Sequence, residues 1–184
     1  MASAPVMVLD ANVLAPALVC DLLLRLAEEP RLYSPRWTAQ ILDEVRRVQV
    51  GKLGWPAHLA EYWREEVTSA FPEALVSGYE SLIEGCTNHP GDRHVAAAGA
   101  HIRAAGIVTF NVRHFSSSAL HPLGLEAIHP SDLLCGFLEQ DPGAVMRRLS
   151  DIAGQRRITL NDLLGRLSAV LPVFARAVEA SLRE

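Results

Sequence analysis

Residues 91–115 read GDRHVAAAGAHIRAAGIVTFNVRHF, and the rest of the chain can be interpreted outward from this stretch. Small and apolar residues recur at helical spacing before Gly106, and residues 107–110 form a short apolar run after it. The pattern predicts a helix that ends at Gly106 and is followed by a buried strand. In open parallel sheets, strand carboxyl ends and neighbouring helix starts face one crevice. Asp92 and Asn111, which bracket the unit, are therefore expected to meet across a pocket.

A second strand with a polar end lies near the start of the chain. Residues 6–9 are continuously apolar, which is typical of a central strand in a parallel sheet, and the run ends at Asp10 and Asn12. Residues 15–28 carry leucines and valines at helical spacing and stop before Pro30, which predicts a crossover helix. The polar residues after this strand are expected at the same edge of the sheet as the first pair.

Two further helices are predicted before residue 72. Thr38 is suited to cap a helix that runs to about Val50, in which Glu44 lies at the edge of the apolar stripe. Residues 32–34 are too short to assign to a strand. Residues 58–71 form an amphipathic pattern. The side chains of that helix predicted to face inward are Leu59, Tyr62, Trp63, Val67 and Phe71.

The chain changes character after residue 140. Up to that point strands and helices alternate, which predicts a mostly parallel sheet with helices on both faces. Before residue 140, residues 74–86 fit either a strand or a helix, and residues 123–128 fit an edge strand. From residue 141 three amphipathic helices follow without intervening strands. The sequence therefore predicts an α/β domain over residues 1–140 and a helical C-terminal extension over residues 141–184.

Composition places the chain among ordinary globular proteins. It has 184 residues, 49% hydrophobic and 21% charged, and a net charge of −4, which argues against nucleic-acid binding through bulk charge. The three cysteines, Cys20, Cys86 and Cys135, are widely spaced and are expected to be reduced thiols. The start lacks a basic signal-peptide region, and no apolar run approaches the ~20 residues of a membrane span. A cytoplasmic protein without a membrane partner is expected.

The predicted crevice gathers an acidic set. Asp10, Glu44 and Asp92 would converge there with the amides of Asn12 and Asn111. Three carboxylates without a positive partner repel one another unless a cation holds them. Oxygen ligands without a His or Cys cluster suit Mg2+ or Mn2+. The pattern therefore indicates a divalent-metal site.

Each member of this set also has an ordinary structural interpretation. Asp10 and Asp92 stand where they would cap a turn or a helix start. Glu44 alone is more typical of a surface residue beside the stripe, and Asn111 alone is more typical of a turn. Only the joint placement of these residues favours the metal site.

Four segments, taken in order, resemble the motifs of PIN-domain proteins. They read Val-Leu-Asp10-Ala-Asn12-Val-Leu, Trp37-Thr-x-x-Ile-Leu-x-Glu44-Val, Gly91-Asp92-Arg-His-Val-x-Ala-Ala and Val-Thr109-Phe-Asn111-Val-x-x-Phe115. The match covers residues 6 to about 130 and is most similar to bacterial PIN nucleases allied to VapC-like toxins. The resemblance implies a five-stranded parallel sheet flanked by helices and a Mg2+- or Mn2+-dependent endoribonuclease.

The resemblance also implies roles for individual residues. Asp10, Glu44 and Asp92 match the acidic metal ligands, Asn111 matches a fourth catalytic position, and Asn12 and Thr109 match supporting polar residues. Two positions depart from the pattern. Asn111 brings no negative charge, which weakens metal affinity and leaves a second metal open. His114 stands where many relatives have Asp, and it either faces the pocket or lies in a solvated loop.

Partners follow from the same resemblance. RNA is the implied substrate, with Arg46, Arg93 and Arg113 placed to guide its backbone, although Arg46 also fits a solvated helix face. A small antitoxin protein is the implied neutralising partner, and a homodimer is a further expectation. The remaining histidines are scattered in sequence and receive no role. These are His58, His89, His101, His121 and His129.

Two other functions are consistent with parts of the sequence. A phosphatase that uses Asp10 as nucleophile is disfavoured, because Asn12 stands where such chemistry wants a second Asp and no downstream Lys is evident. A PIN-like scaffold that has lost activity and binds RNA or a protein is a stronger alternative. The neutral Asn111 and the presence of His114 keep that alternative open.

Overall fold

A computed structural model of the protein describes residues 4–183. Its five strands are β1 (Val6–Leu9), β2 (Ser34–Thr38), β3 (Leu75–Val76), β4 (Gly106–Val108) and β5 (Ala127–Ile128). Every pairing between them is parallel, and their order in the sheet is β3-β2-β1-β4-β5. The predicted five-stranded parallel sheet is thereby confirmed.

Ten helices surround the sheet within the described residues. They are α1 (Ala11–Leu14), α2 (Ala17–Ala27), α3 (Ala39–Gly51), α4 (Ala57–Ala70), α5 (Arg93–His101), α6 (Ser117–Leu120), α7 (Pro130–Gln140), α8 (Pro142–Gln155), α9 (Leu160–Ser168) and α10 (Pro172–Ser181). Short 3-10 turns occur at Pro72–Ala74, Glu80–Gly85, Pro90–Asp92, Val112–His114 and His121–Leu123. Among residues 4–183, no helix is both long enough and apolar enough to span a bilayer.

β1 is the central strand, as predicted. Met7, Val8 and Leu9 are at most 2% exposed because β1 is covered on both faces and paired on both edges. Its neighbour β2 was not predicted, since Pro35 and Arg36 interrupt the apolar pattern. Pro35 nevertheless pairs in register with Met7. The sequence therefore identified the strand with an uninterrupted apolar run and missed the one with a proline inside it.

Helix α3 is confirmed, and the predicted packing of α4 needs correction. Thr38 caps α3 by accepting a hydrogen bond from the Ile41 N–H at 3.0 Å. α4 forms, but Leu59 and Tyr62 are 46% and 58% exposed, so their predicted inward orientation is wrong. The main contacts of α4 are with α3 and with the 3-10 turn that follows it, and the buried residues of α4 are Ala60 and Val67.

Residues 91–115 fold as a helix followed by a strand, as predicted, but the boundary between the two differs from the prediction. α5 ends at His101, and the chain turns through Arg103 at a φ of +51° before reaching β4. Gly106 is the first residue of β4 and does not end the helix. A Cβ on Gly106 would lie 3.1 Å from the Glu126 carbonyl oxygen, so glycine here permits the close approach of the chain that precedes β5.

The three C-terminal helices pack directly on the α/β part. α8 lies against α2 and α7, and α10 lies against α7 and α9. Val145, Leu149 and Phe174 are fully buried and belong to the same apolar cluster as the β1 side chains. The proposed domain boundary after residue 140 stays a prediction, and the contacts show that the two parts share a core.

Candidate active site

The carboxyl ends of β1 and β4 open onto a cavity of about 400 Å³. All five polar residues predicted for the crevice line this cavity: Asp10, Asn12, Glu44, Asp92 and Asn111. They come from the segments after β1 and β4, from α3 and from the start of α5. Parallel strands bring these segments together because their carboxyl ends lie at one edge of the sheet. The catalytic and ligand roles of the five residues stay a prediction.

Asp10 is the most buried carboxylate of the set, at 4% exposed. Its Oδ1 accepts a hydrogen bond from the Ala11 N–H at 2.7 Å, and its Oδ2 accepts from the Thr109 hydroxyl and the Asn12 amide, both at 2.7 Å. Burial raises the pKa of Asp10, the Thr109 hydrogen bond opposes that rise, and the charge of Asp92 adds to it. Asp10 therefore caps α1 and also presents a buried carboxylate to the cavity.

Asn12 and Thr109 lock the ends of β1 and β4 together. The Asn12 Nδ2 donates to Thr109 Oγ1 at 2.9 Å, and the Asn12 Oδ1 accepts from the Phe110 N–H at 3.0 Å. Thr109, which is fully buried, also accepts from the Asn111 N–H at 3.0 Å. These bonds fix the backbone that carries Asn111 and orient the Asp10 carboxylate. The two residues are placed where they can support the site, and their supporting role stays a prediction.

Asp92 points toward histidines rather than into its own helix. It occupies the N-cap position of α5, yet within the described chain its side chain makes no capping hydrogen bond. Its Oδ2 lies 2.8 Å from His114 Nδ1 and 3.2 Å from His89 Nδ1. The two imidazole rings stack with centroids 4.3 Å apart. His114 thus contacts Asp92 from the turn after Asn111, with its side chain 27% exposed, and its supporting role in the site stays a prediction.

Glu44 reaches the cavity from α3 and lies near the side chains of Arg47 and His94. Its Oε1 lies 3.5 Å from an Arg47 guanidinium nitrogen and 3.5 Å from His94 Nε2. Burial raises the pKa of Glu44, the Arg47 charge opposes the rise, and the charges of Asp10 and Asp92 add to it. His94 is buried, which lowers its pKa, and its Nε2 has no hydrogen-bond partner among residues 4–183. A neutral imidazole therefore lies against the Glu44 carboxylate.

The basic residues divide into those at the cavity and those directed elsewhere. Arg47 and Lys52 line it. Arg46 turns away and pairs with Glu61 of α4. Arg93 donates to the Asn88 carbonyl at 3.4 Å, and the exposed Arg113 lies in the turn after Asn111. The predicted RNA contacts of Arg46, Arg93 and Arg113 stay predictions.

Two residues at the site were missed by the sequence reasoning. Lys52 was not considered, although it follows Glu44 by eight residues, just past the last residue of α3, and lines the same cavity. His89 received no role, although it precedes Asp92 by three residues and stacks on His114. Only the return of the chain after β4 brings these two histidines together. A pattern of two histidines 25 residues apart does not predict that contact.

The raised pKa of Glu44 gives the site a testable pH dependence. A carboxyl whose folded-state pKa exceeds its ordinary value near 4.5 binds protons more tightly in the folded protein, so stability is lost as pH rises through the raised pKa. We expect Glu44→Gln, which mimics the protonated form, to match wild type below about pH 4.5 and to exceed it in free energy of unfolding at pH 7. Urea denaturation in EDTA across this range measures the difference.

Asp43→Asn is the matched control for that experiment. Asp43 neighbours Glu44 in sequence, but its side chain is 60% exposed and pairs with Arg64. The control substitution should therefore produce no gain in stability at neutral pH. Parallel pH curves for wild type and Glu44→Gln would contradict a raised pKa of Glu44 in the folded protein.

Comparison with known proteins identifies the family of the chain. Over 139 aligned residues the chain is 37% identical to the Mycobacterium tuberculosis protein named "Putative ribonuclease VapC50", and the alignment covers 70% of this chain and 82% of that protein. No protein-family model and no solved structure matches the chain. The identity and coverage of this relative, together with the five-stranded parallel sheet, establish the family. The protein belongs to the VapC-like group of the PIN-domain family.

Proposed function

We propose that the protein is a divalent-metal-dependent endoribonuclease that acts as the toxin of a toxin-antitoxin pair. The observation that carries the proposal is the convergence of Asp10, Glu44 and Asp92 on one cavity. Burial raises the pKa of Asp10 and of Glu44, and neighbouring acids add to the rise: Asp92 at Asp10, and Asp10 and Asp92 at Glu44. Such a set is electrostatically unfavourable by itself and fits a function that brings in positive charge.

The donor atoms fit Mg2+ or Mn2+. The groups that would hold the ion are the carboxylates of Asp10, Glu44 and Asp92 and the side-chain carbonyl of Asn111, all of which are oxygen donors. Arg47, which opposes the acids, is 71% exposed at its side chain and lies 3.5 Å from Glu44, so it neutralises the set only in part. A bound divalent ion stabilises charge on phosphate oxygens and makes water more acidic.

The surrounding side chains prepare the site for hydrolysis of an RNA phosphodiester. Thr109 and Asn12 hold the Asp10 carboxylate in place through two 2.7 Å hydrogen bonds. Glu44, the carboxylate on the open α3 side, accepts a hydrogen bond from the attacking water and orients it. Arg47 and Lys52 at the rim attract the RNA backbone. Water attacks phosphorus directly as the P–O bond to the leaving ribose oxygen breaks; the water loses a proton to solvent and the leaving oxygen takes one up, so no side chain forms a covalent intermediate.

Family membership supports the partners in this proposal. The relative carries the name ribonuclease, and the VapC-like group supports an RNA substrate and an antitoxin protein that neutralises the toxin. The neutral Asn111 contributes less to cation binding than an aspartate would, which favours a single ion of modest affinity. The homodimer and the cytoplasmic location stay predictions.

Cleavage of RNA in the presence and absence of metal tests the proposal. We expect purified protein to produce new 5′ ends at defined positions with Mg2+ or Mn2+ and none with EDTA. The same ions should raise the free energy of unfolding by about 2.7 kcal/mol at a hundredfold excess over the dissociation constant. Sequencing of 5′ ends and chemical denaturation measure the two effects. RNA that is bound but never cut, at any concentration of metal, would instead support the scaffold function.

A further inference from the structure

Two histidines next to Asp92 offer ligands of a different chemistry from the oxygen-only set, which is formed by Asp10, Glu44, Asp92 and Asn111. One ligand atom each from His89, Asp92 and His114 lies within 4.8 Å of the others. The side chains are 53%, 19% and 27% exposed, so the cluster is open to solvent on the His89 side. Two imidazole nitrogens and one carboxylate oxygen suit borderline transition ions such as Zn2+, whereas Mg2+ prefers oxygen alone.

We propose that His89, Asp92 and His114 form a binding site for a divalent transition-metal ion of the Zn2+ class. The site differs from the oxygen-only set in its two nitrogen ligands and shares only Asp92 with it. Water would complete the coordination of the ion on the exposed side, since three protein ligands leave one tetrahedral position open.

The backbone already holds the three ligands together. The His89 N–H donates to the His114 carbonyl at 3.0 Å, and the Asp92 N–H donates to the His89 carbonyl at 2.9 Å. The imidazole planes are 17° from parallel. The segments before α5 and after β4 are therefore tied to each other at the ligand residues. Binding an ion requires small side-chain rotations, and the entropic cost of ordering the ligands is correspondingly low.

Hydrogen bonding at His89 favours a cation between the rings and the carboxylate. The His89 Nδ1 accepts from the Gly91 N–H at 3.3 Å and lies 3.2 Å from Asp92 Oδ2. Accepting from Gly91 uses the single lone pair on Nδ1. That contact is long at 3.3 Å, so an ion can replace the Gly91 N–H at this lone pair, and the Asp92 carboxylate oxygen is then a second electron-pair donor at close range. A metal ion satisfies both donors. At His114 the ring hydrogen would reside on Nε2, which frees Nδ1 to bind the ion.

Sharing of Asp92 gives the site a regulatory consequence that rests on the proposed function. An ion held by the histidines takes Asp92 Oδ2 as a ligand and withdraws this oxygen from the oxygen-only set. The two sites are then coupled negatively through one carboxylate. Zn2+ at micromolar concentration should therefore inhibit Mg2+-dependent RNA cleavage, and His89→Ala should relieve that inhibition.

Direct metal binding to the untagged full chain tests the site without reference to RNA. We expect one Zn2+ per chain by calorimetry in excess Mg2+, and visible absorption bands from Co2+ at the same site. Loss of an outer-shell partner already costs metal sites about 10- to 100-fold in affinity, so loss of a ligand in His89→Ala or His114→Ala should cost at least about 100-fold. His121→Ala, which removes an exposed histidine beside a different cavity, should leave the affinity unchanged.

Two outcomes would overturn the site. One is Zn2+ affinity that is equal in wild type and both histidine variants, and the other is an equal loss in His121→Ala. Asp10→Asn separates this inference from the proposed function, because it should abolish Mn2+ binding and retain Zn2+ binding. RNA that stays uncut in Mn2+ while Zn2+ still binds through His89 and His114 would refute the nuclease and leave the transition-metal site standing. RNA cleavage by a protein that does not bind Zn2+ would refute the transition-metal site and leave the nuclease standing.

Discussion

Asp92→Asn is expected to lower kcat/KM for RNA cleavage by at least about a thousandfold, or roughly 4 kcal/mol in transition-state stabilisation. The substitution keeps the size of the side chain and an oxygen that can accept from His114, but removes the charge that Asp92 contributes to the acidic set. Cleavage of a fluorogenic RNA measures the effect. The variant should remain folded, because the Asp92 side chain makes no capping bond within residues 4–183 and its loss relieves repulsion on Asp10 and Glu44.

Asp43→Asn also provides the control here, since it removes one carboxylate from the exposed face of α3 and leaves the cavity intact. It should cleave RNA at the wild-type rate. Growth of a host that expresses each protein gives an independent measurement: wild type and Asp43→Asn should arrest growth, and Asp92→Asn should not. Equal cleavage by wild type and Asp92→Asn in excess Mg2+ would remove Asp92 from the catalytic set.

The residues that the sequence located correctly are those whose position follows from topology. A strand that is buried on both faces needs apolar residues throughout, and residues 6–9 have them, so β1 was predicted correctly as the central strand. The polar residues that follow β1 then had to lie at the carboxyl edge of the sheet. Once the strand before Asn111 was assigned to the same sheet, Asp10 and Asn111 were expected at one crevice. The parallel sheet then brought Glu44 and Asp92 to the same place from the helices that connect its strands.

The features that the sequence did not predict depend on contacts between distant segments. β2 contains Pro35, and a proline is expected at an edge, yet β2 pairs with both β1 and β3. Leu59 and Tyr62 fit a buried helical stripe, but α4 packs mainly on α3 and the following 3-10 turn and leaves both side chains exposed. His89 gains its position only through the His114 backbone. In each case the local pattern was compatible with two environments, and tertiary packing selected one.

Phe174→Ala is expected to lower the free energy of unfolding by about 3–5 kcal/mol, although the residue lies outside the segments that match the PIN motifs. Phe174 is fully buried on α10, which packs on α7 and α9. Truncation would leave a cavity in the apolar cluster that continues into the sheet. For a chain of this length each kcal/mol lowers Tm by roughly 2–4 °C, so thermal unfolding should show a large shift.

Val173, the residue before Phe174, provides the control, and tryptophan fluorescence provides the measurement that separates the two parts of the chain. Val173 is 49% exposed on the same helix, so Val173→Ala should change stability by less than about 0.5 kcal/mol. All three tryptophans, Trp37, Trp55 and Trp63, precede residue 141, so their fluorescence reports on the α/β part while far-UV circular dichroism reports on every helix. Because the C-terminal helices share the core, both signals should shift together in Phe174→Ala. Loss of helical signal before any change in fluorescence would show that the extension unfolds independently and would place a true domain boundary near residue 140.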